Sequence, residues 1–546
     1  PPRSIDQDAA QSMHRELFRK GVEKVVDGVY VAIGYSLANA IMLEGDDGVV
    51  IVDTLESRGR AEEVFSAFRE ITDKPVKAVI LTHNHADHIF GSAVFTGGDP
   101  SIPVYAHAST AEYIARIVSV VNDATYVRSM RMFGQLLPKA DVPHAGIGPG
   151  LDFHPEQMAL HWPTHTFDDT LEIEVAGIRM QLIHAPGETP DQICVWLPDQ
   201  NVLLPADNIY QAFPNLYTIR GTEYRDVMEW VRTIDLMREL GAEHLVPSHT
   251  RPLSGSEAVA ETLTAYRDAI QFVHDQTVRG MNKGKTPGEI AATLRLPPHL
   301  ESHPWLQPFY GTVAWSAKGI YDGYLGWFDG NAATLDTLPP AERSRKWMEA
   351  FASGAPLPEQ AASALASNDY AWAAELADHW LRAEPDNDDA RQLLAAAFEG
   401  LSRSQTSPNG INYFLTQAAE LRGDLDIQPT DKSLIDDGFM DGLPVARFMR
   451  ALPVRLKAEE TFDVDELAQF HFTDTGEYYT IHLRLGVAEV RERRIENPAL
   501  SVTTTTQTWK RLATNKLGAA QALLTGELVV EGGVLALNRF MGYFER

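Results

Sequence analysis

A chain of 546 residues with 44% hydrophobic content has material for roughly two to four domains of about 100–200 residues each. Its formal charge of −28 at pH 7 argues against nucleic-acid binding, which requires a basic stripe. The single cysteine, Cys194, excludes an intrachain disulfide framework and a thiolate-rich metal site. No run approaches the ~18 apolar residues of a membrane span, so no stable membrane insertion is expected. The first residue is Pro1 rather than methionine. A processed or trimmed N-terminus is expected, and with it a periplasmic or secreted location, a cytoplasmic one remaining open.

In chain order, residues 1–255 read as α/β. Residues 28–33, 40–44 and 49–52 are short β-rich runs, the last two joined by the turn Gly45-Asp46-Asp47-Gly48, which suggests a β-meander. A helix is predicted over 61–71, with Val64, Phe65, Phe68 and Ile71 on its core face. Residues 76–81 read as a buried strand. The runs 178–183, 193–197, 202–204 and 244–246 repeat one pattern, a short apolar strand closed by a polar residue. Over 256–425, Ala, Leu, Glu and Arg rise and strands vanish. Helices are predicted over 361–367, 370–383 and 388–401, as tetratricopeptide-like hairpins too few for a repeat array. This span reads as a helical packing or dimerisation domain. Residues 426–546 read as a small α+β domain, with strands at 470–472, 478–485, 488–493, 500–505 and 526–531 and helices at 509–512 and 519–524.

The strand at 76–81 runs straight into Thr82-His83-Asn84-His85-Ala86-Asp87-His88. His83 and His85 stand two apart at a strand end, where side chains can converge on one point. Asp87 and His88 follow at the start of a helix. Imidazole and carboxylate suit Zn²⁺, and one tight turn can serve two neighbouring ions. A lone histidine is usually a core group; a crowded H-x-H-x-D-H run on an apolar strand reads as metal chemistry.

The motif resembles that of the metallo-β-lactamase superfamily, which implies an α/β fold, an αββα sandwich with metals along one edge. Further segments stand in the superfamily's chain order. In His184-Ala185-Pro186-Gly187-Glu188, Glu188 stands where most members place a metal-binding histidine. In Leu204-Pro205-Ala206-Asp207, Asp207 stands at the metal-bridging aspartate, and in Val246-Pro247-Ser248-His249, His249 matches the final histidine. Glutamate at 188 is similar to the alkylsulfatase branch. Phe213-Pro214-Asn215-Leu216-Tyr217-Thr218-Ile219-Arg220-Gly221 resembles that branch's sulfate-binding segment. Tyr310-Gly311-Thr312-Val313 and residues 324–331 resemble its helical dimerisation domain, and the tail its sterol-carrier-like α+β domain.

The resemblance implies two Zn²⁺ per chain, held by His83, His85, Asp87, His88, Glu188, Asp207 and His249. It implies a homodimer formed through the helical domain. It also implies hydrolysis of alkyl sulfate esters, with catalytic roles for Asp87, Asn215 and Arg220. Attack of water at carbon, with sulfate leaving, is the implied route; the residues alone equally allow attack at sulfur. Two departures stand out. The branch usually has glutamate where this chain has Asp207, and the portion before the first strand is shorter than usual.

A sulfate monoester is anionic, and a chain of charge −28 must concentrate positive charge to hold it. Bound cations supply that charge, Arg220 a forked guanidinium for sulfate oxygens, and Asn215 a neutral donor. Three more residues are candidates for the substrate side. Tyr126 reads as a donor to sulfate or as a half-buried aromatic. Arg131, like Arg128, reads as lining an anion channel or as lying on a solvated helix face. Arg225 reads as supporting a metal ligand from behind or binding the anion, or as pairing with Glu229 at i+4. His161, His165 and His184 lack ligand spacing. The apolar residues of the last domain either receive the alkyl tail, as in relatives of the sterol-carrier fold, or fill an ordinary core. Two other functions compete. One is another hydrolase of the same fold, a lactonase, phosphodiesterase or β-lactamase, which Asp207 favours and Glu188 and Arg220 disfavour. The other is a lipid carrier with a vestigial metal site, against which the intact His83, His85, Asp87, His88 and His249 stand.

Overall fold

The computed structural model describes residues 5–119 and 121–545, and the Pro1 terminus lies outside them. The chain forms two compact units. One comprises residues 1–110, 124–153 and 163–429, the other 111–123, 154–162 and 430–546. The spans read above as α/β and helical fall mainly in the first.

That unit is built on two sheets. The first has the order β1 (Gly21–Val26), β2 (Val29–Ile33), β3 (Ala40–Glu44), β4 (Val49–Val52), β5 (Val76–Ile80), β6 (Val104–His107) and β7 (His165–Phe167). Its first four strands are antiparallel, and β4 to β7 are parallel. The second sheet contains β8 (Thr170–Val175), β9 (Ile178–His184), β10 (Ile193–Leu197), β11 (Val202–Leu204), β12 (His244–Leu245) and β13 (Leu253–Ser254), in the spatial order β13-β12-β11-β10-β9-β8.

Side chains alternate between the faces of each strand. Val31, Ile41, Val50 and Ile80 from the first sheet meet Leu182, Val195, Leu204 and Val246 from the second in one fully buried layer. On the opposite face of the first sheet, Met42, Ile51 and Val79 are buried as well. On the outer face of the second, Cys194, Trp196 and Leu203 pack with Trp230 and Ile234 of the helix Val227–Glu239 and with Leu263, Tyr266 and Ile270 of the long helix Ser256–Met281. Burial on both faces explains why these strands read as unbroken apolar runs.

Differences from the sequence reading are local. The helix predicted over 61–71 begins at Arg58 because the Ser57 side chain caps it, and it ends at Arg69. Val64 and Phe68 are buried as expected, but Ile71 lies beyond the helix and is 38% exposed. Strands β1 and β8 escaped notice because Glu23 and Lys24 interrupt one and Glu172 and Glu174 alternate through the other.

Farther on, the helices Leu357–Ala366, Tyr370–Ala383, Asp388–Ser402 and Pro408–Arg422 pack in succession. Asp369 and Asn387 cap two of them. Gly400 lets the Tyr370 ring sit flat against its helix: a Cβ there would lie 2.1 Å from that ring.

The second unit is a five-stranded sheet, β16-β15-β14-β17-β18, with β14 at Asp465–Phe472, β15 at Tyr478–Arg484, β16 at Val487–Glu492, β17 at Leu500–Thr504 and β18 at Val529–Glu531. Phe470, Phe472, Tyr479, Val502, Trp509 and Phe540 fill its core. A cavity of about 200 Å³ in this unit is lined by Asp437, Asp441, Gln507, Lys510 and Arg511 beside Met440 and Thr514, a polar lining unsuited to an alkyl tail.

Glu56, in the turn after β4, is completely buried. Its Oε1 accepts from the Ser36 hydroxyl and, at 2.9 Å, from the Asp152 N–H, while Oε2 makes no hydrogen bond among the described residues. Burial is the main cause that pushes its carboxyl up to about 7. A carboxyl raised in the fold contributes stability that is present below its unfolded value and is lost as pH rises through the folded value. The shift from 4.5 to about 7 amounts to about 3 kcal/mol lost over that window. Glu56→Gln is therefore expected to match the wild type near pH 5 and to be about 2–3 kcal/mol more stable at pH 8, read by urea unfolding. An unchanged difference between the two pH values would show that Glu56 folds as a carboxylate.

Candidate metal centre

Strand β5 delivers its last residue, Ile80, to the edge of the sandwich, and the chain turns there. His85 precedes the short helix Ala86–Ile89, whose first turn carries Asp87 and His88. The turn is anchored from β4. The Asp53 carboxylate accepts from the Thr82 N–H at 2.9 Å and the Thr82 hydroxyl at 3.0 Å. Three other loops arrive at the same edge: one after β9 with Glu188, one after β11 with Asp207, and one after β12 with His249.

These groups converge. Asp207 Oδ2 lies 3.6 Å from His83 Nε2, 3.3 Å from His88 Nε2 and 3.2 Å from His249 Nε2. Asp87 Oδ2 lies 3.4 Å from His88 Nε2 and 3.5 Å from His249 Nε2. Three overlapping sets result: His83–His88–Asp207, Asp87–His88–His249 and His85–Glu188–Asp207, each with its donor atoms within 4.8 Å of one another. The histidines at 83, 88 and 249 are fully buried, and Asp207 is 2% exposed. His88 Nε2 and Asp207 Oδ1 make no hydrogen bond among the described residues. Buried polar atoms are rarely left in that state unless an ion or water takes them up. Imidazole nitrogens and carboxylate oxygens are the donor set of Zn²⁺ and similar cations, so the residues fit a metal centre.

The electrostatics agree. Burial opposes charge on Asp207, yet His249, His88 and His83 hold its carboxyl well below the usual range. Burial works against Asp87 in the same way, and His88 and His249 bring it to about 2. Burial drives His83 and His85 well below ordinary imidazole values, with neighbouring cationic groups adding to the effect. Ionised carboxylates and neutral imidazoles are the forms that ligate metal. On His88, burial is outweighed by Asp207, Asp87 and Asp53, which raise it. A divalent cation competes with that proton for the same lone pair.

Outer contacts set the rings, as metal-binding imidazoles require. His88 Nδ1 lies 2.8 Å from Asp53 Oδ2, which also accepts from the Ser248 hydroxyl at 2.7 Å. His249 Nδ1 lies 2.9 Å from Leu37 O, and the Thr82 hydroxyl 2.9 Å from His83 Nδ1. Asp53 has a φ of 59°, in the left-handed region. Sequence reasoning missed it. Its only signal was a polar residue closing the apolar run of β4, the pattern noted at other strand ends. Behind Glu188, Asn208 Oδ1 accepts from the Glu188 N–H at 3.3 Å. Gly187 permits that approach, since a Cβ there would lie 2.1 Å from the same oxygen.

Two arginines and an asparagine flank the centre. Arg225 Nη1 pairs with Glu188 Oε1 at 2.9 Å and also donates to Asn215 O. The reading of Arg225 as a surface partner of Glu229 is therefore incorrect: Asp226 caps the helix Val227–Glu239, so Arg225 precedes it and its side chain is 97% buried. Glu188 Oε2 accepts from the Tyr210 hydroxyl at 3.3 Å, and that hydroxyl accepts from the Asn215 N–H at 2.9 Å. Burial raises Glu188, with Arg225 pulling the other way. Arg220 Nη2 lies 3.2 Å from His85 Nε2. The Asn215 side-chain amide, almost fully buried, donates to nothing among the described residues.

The remaining candidates contact other groups. Arg131 donates to both oxygens of Glu420, at 2.7 and 2.9 Å, and the structure does not bring it to the cluster. Arg128 Nη2 donates to Ile219 O at 2.8 Å, beside Arg220. Tyr126, half-buried on the helix Asn122–Phe133, sets its ring edge-on to Phe153. His184 stacks on His107 at 4.0 Å, and His165 packs near Tyr105.

The chain matches three family models: "Metallo-beta-lactamase superfamily" over residues 33–249, "Alkyl sulfatase dimerisation" over 286–424 and "Alkyl sulfatase C-terminal" over 434–546. It is 35% identical to a linear primary-alkylsulfatase of Pseudomonas sp. (strain ATCC 19151), over 92% of this chain and 98% of that one. It is 29% identical to an (R)-specific secondary-alkylsulfatase of Pseudomonas sp., over 99% and 84%. The solved structure of the stereoselective inverting sec-alkylsulfatase Pisa1 from Pseudomonas sp. superposes with a TM-score of 0.91 at 27% identity, covering 100% of this chain and 88% of that one.

Proposed function

The chain belongs to the alkyl sulfatases of the metallo-beta-lactamase superfamily, hydrolases of sulfate esters, and we propose that it works with two Zn²⁺ and releases sulfate by attack of water at carbon. The observation that carries the two-ion reading is the set of three donor clusters, two of which share Asp207 and two of which share His88. Seven groups would hold the pair: His83, His85, Asp87, His88, Glu188, Asp207 and His249. Bound there, two divalent cations supply positive charge to the sulfate and acidify nearby water.

The chain's own residues do the rest. Arg220 and the orphaned amide of Asn215 grip sulfate oxygens, placing the leaving group against the centre. Arg225 and Tyr210 orient the Glu188 carboxylate, and Arg225 offsets part of the burial that raises it. Asp87, held near 2, stays a carboxylate at working pH. It is thus a weak base, suited to accept a hydrogen bond and orient the attacking water. Attack at carbon breaks the C–O bond; the water oxygen ends in the alcohol and sulfate departs with the ester oxygen. The solved relative described as inverting supports that route.

Domain roles follow the same reading: residues 1–255 catalytic, 256–425 dimerising, 426–546 a sterol-carrier-like module. Tyr324, Leu325, Trp327 and Leu335, each more than half exposed, give the helical span an apolar surface suited to a second copy. No helix among the described residues is long and apolar enough to cross a membrane.

Arg220→Ala tests the anion grip. A charge-assisted hydrogen bond contributes about 1.5–3 kcal/mol, so KM for an alkyl sulfate is expected to rise roughly 10–100-fold with metal content intact. An unchanged KM across sulfate esters would remove Arg220 from the substrate site.

A further inference from the structure

The turn that carries His83 and His85 and the loop that carries Glu188 meet at their roots through backbone. The Ile193 N–H donates to Thr82 O at 2.9 Å, and the Ala185 N–H to Gln192 O, at 2.7 Å, closes the Glu188 loop. Above those roots a side-chain bond joins the two. Asn84, between the ligand histidines, donates from Nδ2 to Asp191 Oδ1 at 2.6 Å. Asn84 is 4% exposed and Asp191 is completely buried.

A buried carboxylate is costly to keep. The groups that favour its charge here are neutral: the Asn84 amide and the hydroxyls of Thr189 and Thr110, which lie beside it without closing hydrogen bonds of good geometry. Of the three donor sets in the metal centre, only His85–Glu188–Asp207 takes a group from the Glu188 loop. The Asn84–Asp191 bond spans the two segments that carry His85 and Glu188. We propose that Asp191 is a positioning residue that holds the Glu188 loop against the His85 turn and so sets the affinity of one cation site, leaving the other unchanged. This rests on the two-ion reading above.

Zinc alone, titrated into chelator-stripped protein against a competing chromophoric chelator, reads both sites without substrate. In Asp191→Ala one zinc is expected to bind roughly 10–100-fold more weakly, as for other outer contacts of metal ligands, with the second zinc at wild-type affinity. Asn84→Ala, which removes the same bond from the other side and leaves the carboxylate in place, is expected to weaken the same ion. Asp191→Asn keeps an acceptor oxygen and is expected to restore most of the affinity. Equal weakening of both ions, or wild-type affinity for both in the two alanine variants, overturns the proposal. Uptake of a single zinc by the wild type overturns the two-ion reading itself, and the proposal with it, whatever the turnover on sulfate esters.

Discussion

Replacing Asp207 with alanine is expected to strip at least one ion and to lower kcat/KM for an alkyl sulfate by about a thousandfold or more. Asp207 is shared by two of the three donor sets, one of which includes His83 and His88 and the other His85 and Glu188. One of its oxygens stands within 3.6 Å of three imidazoles. Without it, each of those sets drops to two donors, and His88 and His249 lose the strongest influence that raises them. A metal centre contributes several kcal/mol to the barrier, and each 1.4 kcal/mol is tenfold in rate. Asp207→Glu keeps the carboxylate one methylene farther out and is expected to retain both ions. Elemental analysis together with steady-state kinetics checks both variants; Asp207→Ala with two ions and full turnover would exclude a bridging role.

Arg225→Ala is expected to cost about 3–5 kcal/mol of stability, the range for breaking one side of a buried ion pair. Arg225 and Glu188 expose only 3% and 2% of their side chains. Without the guanidinium, Glu188 keeps a single hydroxyl donor, from Tyr210. Burial, already the force that raises its carboxyl, would then favour the protonated form, which is a poor metal ligand. Lysine is expected to restore only part of the loss, because its flexible stem does not fix a donor at the position from which the single nitrogen Nη1 reaches both Glu188 and Asn215 O. Urea unfolding of stripped and zinc-loaded protein separates the two effects. A variant within 1 kcal/mol of wild type in both forms would exclude this ion pair as a support of the centre.

The parts of the molecule that the sequence made legible share a cause. Ala40–Glu44, Val49–Val52, Ile193–Leu197 and Val202–Leu204 were read to the residue because strands buried on both faces are unbroken apolar runs bounded by turns. The candidate ligands at 83, 85, 87 and 88 stand out in the sequence because four polar groups crowd one strand end. What escaped notice depends on distance along the chain or on backbone atoms. Asp53 orients His88 from 35 residues away. His249 is set by a backbone carbonyl, Leu37 O, which no side-chain pattern reports. The i+4 spacing of Arg225 and Glu229 carries meaning only inside a helix, and Arg225 lies before one. Arg131 finds Glu420 from 289 residues away, a pairing created by packing alone.

The measurement that tests the central claim most directly is sulfate release from a linear primary alkyl sulfate such as decyl sulfate, by stripped protein reloaded stepwise with zinc in ¹⁸O-water. Turnover is expected to be absent without metal, to reach its plateau at two zinc per chain, and to leave the label in the alcohol. Full turnover in stripped protein would contradict the metal centre. A plateau at one zinc would contradict the pair, and label found only in sulfate would contradict attack at carbon.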